Sequence, residues 1–291
     1  MIPVLIDVLA WALVRVLALL LVVLAAGCGG GGDDGPTVVA GFYPLAWAAE
    51  QSIGQAPGES SIMPEVVNLT PAGAEPHDLE LSARDVERVR DAELVVYVGG
   101  GFQPALEEAV AERDGPSLDV LLTAEERDPH VWLDPVRFAR IVTEVDAALG
   151  AGSSSVDVFL ELDALDQEFR RGLARCERRE IVTTHAAFGH LAARYGLEQL
   201  ALTGSSPEAE PSPRELERLI DDVRASGATT VFAEPLVSDS VAQTVAREVG
   251  VRVAVLDPLE GLSEERLEAG EDYVSVMRDN LAALREALGC R

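Results

Sequence analysis

Three of the few histidines in this chain stand in positions suited to metal binding. Only four histidines occur among 291 residues, and His77, His130 and His185 each lie in a loop-like stretch that follows an apolar segment. Asp257 directly follows the apolar run VRVAVL. Three imidazoles and one carboxylate are a ligand set typical of a transition metal, above all zinc. We therefore predict that these four residues form a single metal site.

Several acidic residues near the histidines could supply the oxygen ligand. Glu75 is an alternative to Asp257, although the end of a strand anchors a side chain better than a Pro-containing loop does, which favours Asp257. Asp78, Asp128 and Asp134 also flank predicted ligands. A carboxylate in such a position either accepts the second ring N–H of a metal-binding histidine, which fixes its tautomer, or is simply solvated. Glu75 and Asp134 are thus candidates for the ligand set or for its immediate surroundings.

The fourth histidine is not expected to bind the metal. His190 lies five residues after His185, within the helical stretch AAFGHLAARYGL. Residues with this spacing point in clearly different directions on a helix, so His190 should face away from its neighbour.

The chain alternates between strand-like and helix-like segments, and these segments position the predicted ligands. Short strand-like runs occur at 37–41, 65–69, 94–98, 118–122, 180–184, 229–233 and 251–256. Helix-length stretches between most of them include 84–91, 102–112, 136–149, 213–226 and 238–249. This alternation predicts βαβ units, parallel sheets and the α/β fold class. In open α/β sheets small ligands bind just outside the carboxyl ends of strands, where His77, His185 and Asp257 are placed.

One long amphipathic segment interrupts the alternation. Residues 153–175 open with three serines, a helix-capping pattern, and contain no Gly or Pro before Gly172. A helix of about 20 residues would span about 30 Å, the width of a small domain. We interpret it as a linker between two α/β lobes, 37–152 and 176–291, rather than as a surface helix within one lobe. Two predicted ligands belong to each lobe, so the metal would bridge the cleft between them.

The N-terminal segment predicts export from the cytoplasm. Residues 16–26 form an apolar run with the length of a secretory h-region, and the following LAAGC resembles the bacterial lipobox. Cleavage before Cys28 would remove residues 1–27 as a signal peptide and leave a lipid-modified cysteine. A single-pass anchor is the alternative, but Asp7 would then lie unfavourably within the membrane.

Two further features of this segment bear on where the folded body begins. The first thirteen residues carry no basic residue, whereas Arg15 stands just ahead of the apolar run, so we expect translation to begin at Val14 rather than at Met1. Residues 28–36 are rich in glycine and have the composition of a flexible tether. The folded body should therefore start near Thr37.

Size, charge and cysteine content narrow the function classes. Removal of residues 1–27 leaves 264 residues, enough for two cores, and the net charge stays at −27 because Asp7 and Arg15 cancel. A chain this acidic is poorly suited to bind nucleic acid or an anionic substrate and well suited to bind a cation. Besides the lipidation site, Cys176 and Cys290 form an even pair, which is either a disulfide or two free thiols.

Four segments are similar in order and spacing to the motifs of one protein family. They are GAEPHDLELSARDVERVRDAELVVYVG at 73–99, DPHVWLDP at 128–135, THAAFGHLAARYGL at 184–197, and 211–261, which ends in VAVLDPLEG. On these motifs the chain resembles the zinc and manganese solute-binding lipoproteins of bacterial ABC importers. The similarity extends over nearly all of the chain after the predicted signal peptide.

The resemblance implies two α/β lobes joined by one long helix, with a transported metal ion in the cleft between them. It carries the ligand role onto His77, His130 and His185, while Asp257 matches the acidic position that completes the site in many members. Histidine at the third position favours Zn²⁺, since manganese-binding members usually carry Glu there; Mn²⁺ or Fe²⁺ is the alternative. The His-rich loop of some zinc-importing relatives is lacking, because residues 101–127 contain no histidine.

The resemblance also implies partners and a location. A monomeric carrier would be tethered by its lipid at the outer face of the cytoplasmic membrane. It would deliver metal to the transmembrane permease of an importer driven by an ATPase, and docking on the permease would separate the lobes. No enzymatic activity is implied. The rivals from other classes are a zinc hydrolase, for which the chain has no HExxH motif, and a metal-binding adhesin lipoprotein.

Overall fold

The computed structural model describes residues 37–53, 64–121, 128–150, 156–204 and 211–291. The predicted signal peptide, the lipidation site Cys28, the glycine-rich tether and the start at Val14 lie outside these residues and stay predictions. Within the described ranges, no helix combines the length and the apolar character that crossing a membrane requires.

In the described residues, eight short strands form two parallel sheets. The strands are β1 (Thr37–Ala40), β2 (Glu65–Asn68), β3 (Leu94–Tyr97), β4 (Ser117–Asp119), β5 (Glu180–Thr183), β6 (Glu198–Ala201), β7 (Thr230–Ala233) and β8 (Arg252–Val255). The sheet orders are β2-β1-β3-β4 and β6-β5-β7-β8, and every neighbouring pair is parallel. Central strands such as β3 and β7 are almost fully buried, as apolar strands of parallel sheets are. The predicted α/β class is confirmed.

The described chain also contains ten α-helices. They are α1 (Tyr43–Ile53), α2 (Ala83–Asp91), α3 (Pro104–Ala111), α4 (Pro135–Leu149), α5 (Val156–Gly172), α6 (Gly189–Tyr195), α7 (Pro213–Ser226), α8 (Ser240–Val249), α9 (Glu264–Glu268) and α10 (Tyr273–Leu288). Local sequence explains several of their ends. Helix α2, for example, begins with a capping box in which the side chains of Ser82 and Asp85 each accept the other residue's backbone N–H.

Helix α5 corresponds to the predicted linker. It covers 156–172 rather than 153–175, and residues 151–155 lie outside the described ranges. Its 17 residues span about 26 Å. In chain order it lies between the two sheets, and it packs against α4 before it and α10 after it. Its buried side chains recur at helical spacing: Val158, Leu162, Leu165 and Phe169.

The segments before and after the linker helix share one hydrophobic core. The largest buried cluster includes Phe42 and Phe138 from the first half of the chain and Tyr273 from the second. The ring centroid of Tyr273 lies 4.2 Å from that of Phe138 and 5.5 Å from that of Trp47. Residues 36–291 form one compact unit. The exact lobe limits at 152 and 176 therefore stay predictions.

The pattern of correctly and incorrectly predicted elements has a physical reason. Seven strands lie where the apolar runs predict them, but β6 was not predicted. It is a partly exposed edge strand with the mixed sequence EQLA, so its hydrophobic signal is weak. Helix α1 was not predicted either, because it is buried on nearly all sides and has no polar face to reveal a helical period.

Candidate metal centre

Four side chains from distant parts of the chain converge on one point. The convergent residues are His77, His130, His185 and Glu260, whose potential ligand atoms all lie within 4.8 Å of one another. Oε1 of Glu260 lies 3.3, 3.2 and 3.3 Å from Nε2 of His77, His130 and His185, respectively. The Nε2 atoms of His130 and His185 are 3.4 Å apart. The three predicted histidines are thus brought together, but with a carboxylate that was not predicted.

The spacing of these atoms matches a tetrahedral zinc site. Bonds of about 2.0–2.1 Å place the corners of a tetrahedron about 3.3–3.4 Å apart. Four of the six separations, the three from Glu260 Oε1 and the one between His130 and His185, lie between 3.2 and 3.4 Å, and all six are below 4.8 Å. The four atoms can therefore surround one Zn²⁺ ion. Three imidazole nitrogens and one carboxylate oxygen are also a donor set that zinc prefers.

His77 lies in a short 3₁₀ turn, Pro76–Asp78, between β2 and α2. Pro76 occupies the first turn, and Oε1 of Glu75 accepts a hydrogen bond from the His77 backbone N–H at 3.0 Å. Glu75, the predicted alternative ligand, therefore contacts the backbone of His77 and is not one of the four convergent residues. Burial raises the pKa of Glu75 to about 8, and the nearby charge of Glu260 adds to the effect.

Asp128 orients the imidazole of His130. Its Oδ1 lies 2.8 Å from His130 Nδ1 and also accepts the His130 backbone N–H at 3.1 Å. This contact places the proton of the neutral ring on Nδ1 and leaves the lone pair of Nε2 for a metal. His190 Nε2 donates to the backbone carbonyl of Asp128 at 2.9 Å. As expected, His190 lies outside the convergent cluster.

His185 is positioned by the buried carboxylate of Glu234, which sequence reasoning missed. Oε2 of Glu234 lies 2.7 Å from His185 Nδ1, and Oε1 accepts the His185 backbone N–H at 3.2 Å. The hydroxyl of Thr184 also donates to Glu234. His185 lies just beyond β5 and Glu234 just beyond β7, the two central strands of the second sheet. The rule that identified His185, a polar residue at a strand end, would have found Glu234 as well.

The loop after β8 places Glu260, not Asp257, among the histidines. Oδ1 of Asp257 accepts the Leu259 N–H at 2.7 Å, and Oδ2 accepts from Arg266 at 2.6 Å. Asn280 pairs with both backbone groups of Asp257. Leu259 adopts a left-handed conformation, with φ of 56°, which is unusual for such a side chain. Asp257, the expected oxygen ligand, thus lies outside the four convergent residues: it holds the turn, and the turn presents Glu260.

Two buried hydrogen bonds connect the His130 loop to the second half of the chain. The indole Nε1 of Trp132 donates to the carbonyl of Pro258 at 2.7 Å. The hydroxyl of Tyr273 donates to the carbonyl of Trp132 at 2.6 Å. Trp132 follows His130 by two residues, and Pro258 precedes Glu260 by two. The Trp132–Pro258 bond therefore joins the loops of His130 and Glu260, and the Tyr273 bond holds the His130 loop against the start of α10.

The charges of the centre are strongly coupled in the absence of metal. Burial alone would raise the pKa of Glu260, but hydrogen bonds from the three histidines outweigh it and hold this pKa well below its usual range. Burial would lower the pKa of His185, but the contacts with Glu234 and Glu260 raise it to about 10. The pKa of His130 is raised in the same way by Asp128 and Glu260. A metal ion must therefore displace a tightly held proton.

The remaining predicted residues lie away from the convergent atoms. Asp134 caps α4, where its side chain accepts the Val136 N–H at 2.9 Å, and it pairs with Arg194. It is therefore neither a ligand nor a partner of one in this structure. Cys176 and Cys290 form a disulfide, with an S–S distance of 1.95 Å, which ties the segment after α5 to the segment after α10.

Sequence comparison relates the chain to bacterial zinc-uptake proteins. A family model described as zinc-uptake complex component A, periplasmic, matches residues 38–287. The chain is 34% identical over 282 residues to the zinc-binding lipoprotein AdcA of Streptococcus pneumoniae, and the match covers 86% of this chain and 55% of AdcA. The chain thus spans about half the length of this relative.

Comparison with solved structures points to the same group. The Zn(II)-bound ZnuA-like domain of S. pneumoniae AdcA is similar with a TM-score of 0.72 and 34% identity, covering 87% of this chain and 99% of that domain. The laminin-binding protein Lmb of Streptococcus agalactiae, described as bifunctional with adhesin and metal transporting activity, is similar with a TM-score of 0.76 and 29% identity. That match covers 87% of this chain and all of Lmb.

Proposed function

The chain belongs to the zinc-uptake complex component A family, and from this premise we propose that it is the solute-binding component of an ABC importer. Its cargo is Zn²⁺, which it captures outside the cytoplasm and delivers to a membrane permease. The family match over residues 38–287 and the four convergent side chains support this proposal. Because the chain spans about half of AdcA, its activity, cargo and partners are inferred rather than transferred from that protein.

The observation that carries the proposal is the spacing of the four ligand atoms. We assign the zinc ligands as His77, His130, His185 and Glu260. Four of their six separations, at 3.2–3.4 Å, are those of a tetrahedral ion with bonds of zinc length, and all six are below 4.8 Å. Three nitrogen donors favour Zn²⁺ over Mn²⁺, which prefers a site with more oxygen ligands.

The geometry suits capture of an ion rather than chemistry on a substrate. Before metal binding, the Glu260 carboxylate is shared by the three imidazoles. When Zn²⁺ binds, each neutral imidazole offers its Nε2 lone pair and Glu260 offers one oxygen, while a proton leaves. Four protein ligands complete a tetrahedral shell, so no position is left for a nucleophilic water. This argues against the zinc hydrolase hypothesis.

The partners and the location follow from the same proposal. Relatives are named lipoproteins, which supports an extracytoplasmic carrier tethered through Cys28. The carrier works as a monomer with a permease and its ATPase. The similarity to Lmb favours adhesion as a second function, which binding of the purified chain to laminin would test.

Metal analysis tests the proposal directly. Protein purified without added metal or chelator should contain one Zn²⁺ per chain by elemental analysis, and Zn²⁺ should displace Mn²⁺ and Fe²⁺ in competition titrations. His130→Ala should lower zinc affinity by orders of magnitude. His190→Ala is the same substitution outside the four convergent residues and serves as the control. It should lower affinity far less than His130→Ala, because His190 contacts Asp128 and no ligand atom. A chain that binds no zinc, or a His130→Ala variant with unchanged zinc affinity, would contradict the proposal.

A further inference from the structure

The three histidines of the candidate metal centre are held in different ways. Nδ1 of His130 lies 2.8 Å from Asp128, and Nδ1 of His185 lies 2.7 Å from Glu234. In the described part of the chain, no carboxylate contacts Nδ1 of His77. A carboxylate on the second ring nitrogen fixes the orientation of a metal-binding imidazole. His77 lacks this restraint, and its side chain is also the most exposed of the four, at 10%.

An aromatic ring restrains His77 instead. The ring of Phe102 lies 4.4 Å from the imidazole of His77, centroid to centroid, in an edge-to-face arrangement. Phe102 is 2% exposed and packs against Phe42 and Trp132, with ring centroids 4.9 and 5.3 Å away, respectively. Packing against this ring, rather than a hydrogen bond at Nδ1, therefore opposes rotation of the His77 imidazole.

The loop that carries this phenylalanine is itself braced. Gly100 and Gly101, with φ of 74° and 87°, turn the chain after β3 in a conformation that favours glycine. Gln103 donates from its side chain to the carbonyl of Pro76 at 3.2 Å. One loop thus holds both the backbone just before His77 and the ring of His77.

The opposite side of the centre is fixed without metal. The bond from Trp132 to Pro258 joins the loops of His130 and Glu260, and the bond from Tyr273 to Trp132 holds the His130 loop against α10. Neither bond involves a metal ligand atom. These two ligands should therefore keep their positions when the metal leaves. Exchange of the metal has to begin at another ligand.

We propose that His77 is the ligand through which the metal ion enters and leaves, and that Phe102 is the positioning residue that sets the rate of this exchange. The inference rests on the proposed zinc-binding function. Swinging the His77 imidazole away breaks one metal bond and the contact with Phe102. Moving His130 or His185 also breaks a contact between Nδ1 and a carboxylate, which is a stronger restraint. Exchange then starts at the most exposed ligand, before any separation of the chain halves.

Zinc release from the loaded chain tests this proposal. The zinc-loaded protein is mixed with excess EDTA in a stopped-flow instrument, and the release rate is followed for the parent chain, Phe102→Ala and Phe102→Leu. Phe102→Ala should release zinc about 10- to 100-fold faster, the range seen when a group that supports a ligand is removed. The release rate of Phe102→Leu, which retains apolar bulk, should lie between those of the parent chain and Phe102→Ala. Phe169→Ala is the control, because Phe169 is equally buried but stacks on Tyr195, away from the metal centre.

A double-mutant cycle separates positioning from general loss of stability. If Phe102 acts through His77, adding Phe102→Ala to a His77→Ala variant should leave the release rate unchanged within about twofold. A persistent Phe102 effect in that background overturns the proposal. So does a Phe102→Ala variant that releases zinc no faster than Phe169→Ala. Failure of the parent chain to bind zinc would instead refute the proposed function.

Discussion

Exchange of Glu260 for glutamine keeps the shape of the side chain and removes its negative charge. Oε1 of Glu260 lies within 3.3 Å of all three imidazole Nε2 atoms, and its side chain is 1% exposed. Asp257→Asn makes the same change of carboxylate to amide in the same loop, where the side chain contacts Arg266 instead. The pair of variants therefore separates a metal ligand from a residue that supports the ligand loop.

The expected magnitudes differ by orders of magnitude. Removing one partner of a buried charge pair costs about 3–5 kcal/mol, which corresponds to about 200- to 5000-fold in a dissociation constant. Glu260→Gln should weaken zinc binding by this amount, because a neutral amide oxygen replaces a buried carboxylate as the oxygen ligand. Asp257→Asn should change zinc affinity by less than about tenfold, since asparagine can still accept the Leu259 N–H. Its loss of the Arg266 contact should instead lower the free energy of unfolding by about 1–3 kcal/mol.

Two assays check this prediction on the same preparations. Zinc affinity is measured by competition with a chromophoric chelator at one fixed pH, and the stability of the metal-free proteins is measured by denaturant unfolding. Glu260→Gln should be defective mainly in the first assay and Asp257→Asn mainly in the second. If Asp257→Asn lowered zinc affinity more than Glu260→Gln, the assignment of Glu260 as the oxygen ligand would be wrong.

Zinc affinity should rise about tenfold per pH unit between about pH 6.5 and about pH 10, because the pKa of His185 is raised from 6.5 to about 10 and its proton must leave. Over the same pH range the metal-free protein should lose stability, because a pKa that is raised in the folded state stabilises the fold only while the group is protonated. Zinc titrations and denaturant unfolding at several pH values measure the rise in affinity and the loss of stability. Flat profiles would contradict both expectations. Cys176→Ser should lower the free energy of unfolding by about 5 kcal/mol, because the disulfide to Cys290 joins residues 114 apart. Unfolding with and without reductant measures this, and equal stability of parent and variant in the oxidised state would contradict it. Trp132→Phe should lower the free energy of unfolding by about 1–3 kcal/mol, because it removes the indole N–H and leaves the carbonyl of Pro258 unpaired. Denaturant unfolding measures this, and an unchanged midpoint would argue against this bond.

The convergence of three histidines could be predicted from the sequence because histidine is rare in this chain and because all three follow apolar segments. His185 directly follows an apolar run that forms β5, and His77 lies in the loop after β2. Carboxyl ends of parallel strands lie at one edge of a sheet, so such residues become neighbours for topological reasons. The structure brings all three histidines within 4.8 Å of one another.

The same reasoning explains which elements of the fold were predictable. Buried strands such as β3 and β7 consist of continuous apolar residues and are evident in any window of the sequence. Strand β6 is partly exposed, and its pairing with β5 determines its conformation more than its own residues do. The linker helix was only partly predictable: its apolar residues recur with a clear helical period, but the sequence did not define its ends.

Tertiary structure alone decided which carboxylate lies among the three histidines. Asp257 and Glu260 stand three residues apart in DPLEG, and both follow β8. Arg266 and Asn280 bind Asp257, and the left-handed turn at Leu259 then directs the next side chain to the histidines. Residue types and their spacing were enough to predict an α/β protein with a three-histidine metal centre. The choice of oxygen ligand depended on the direction of a loop side chain, which contacts from distant segments determine and local sequence does not encode.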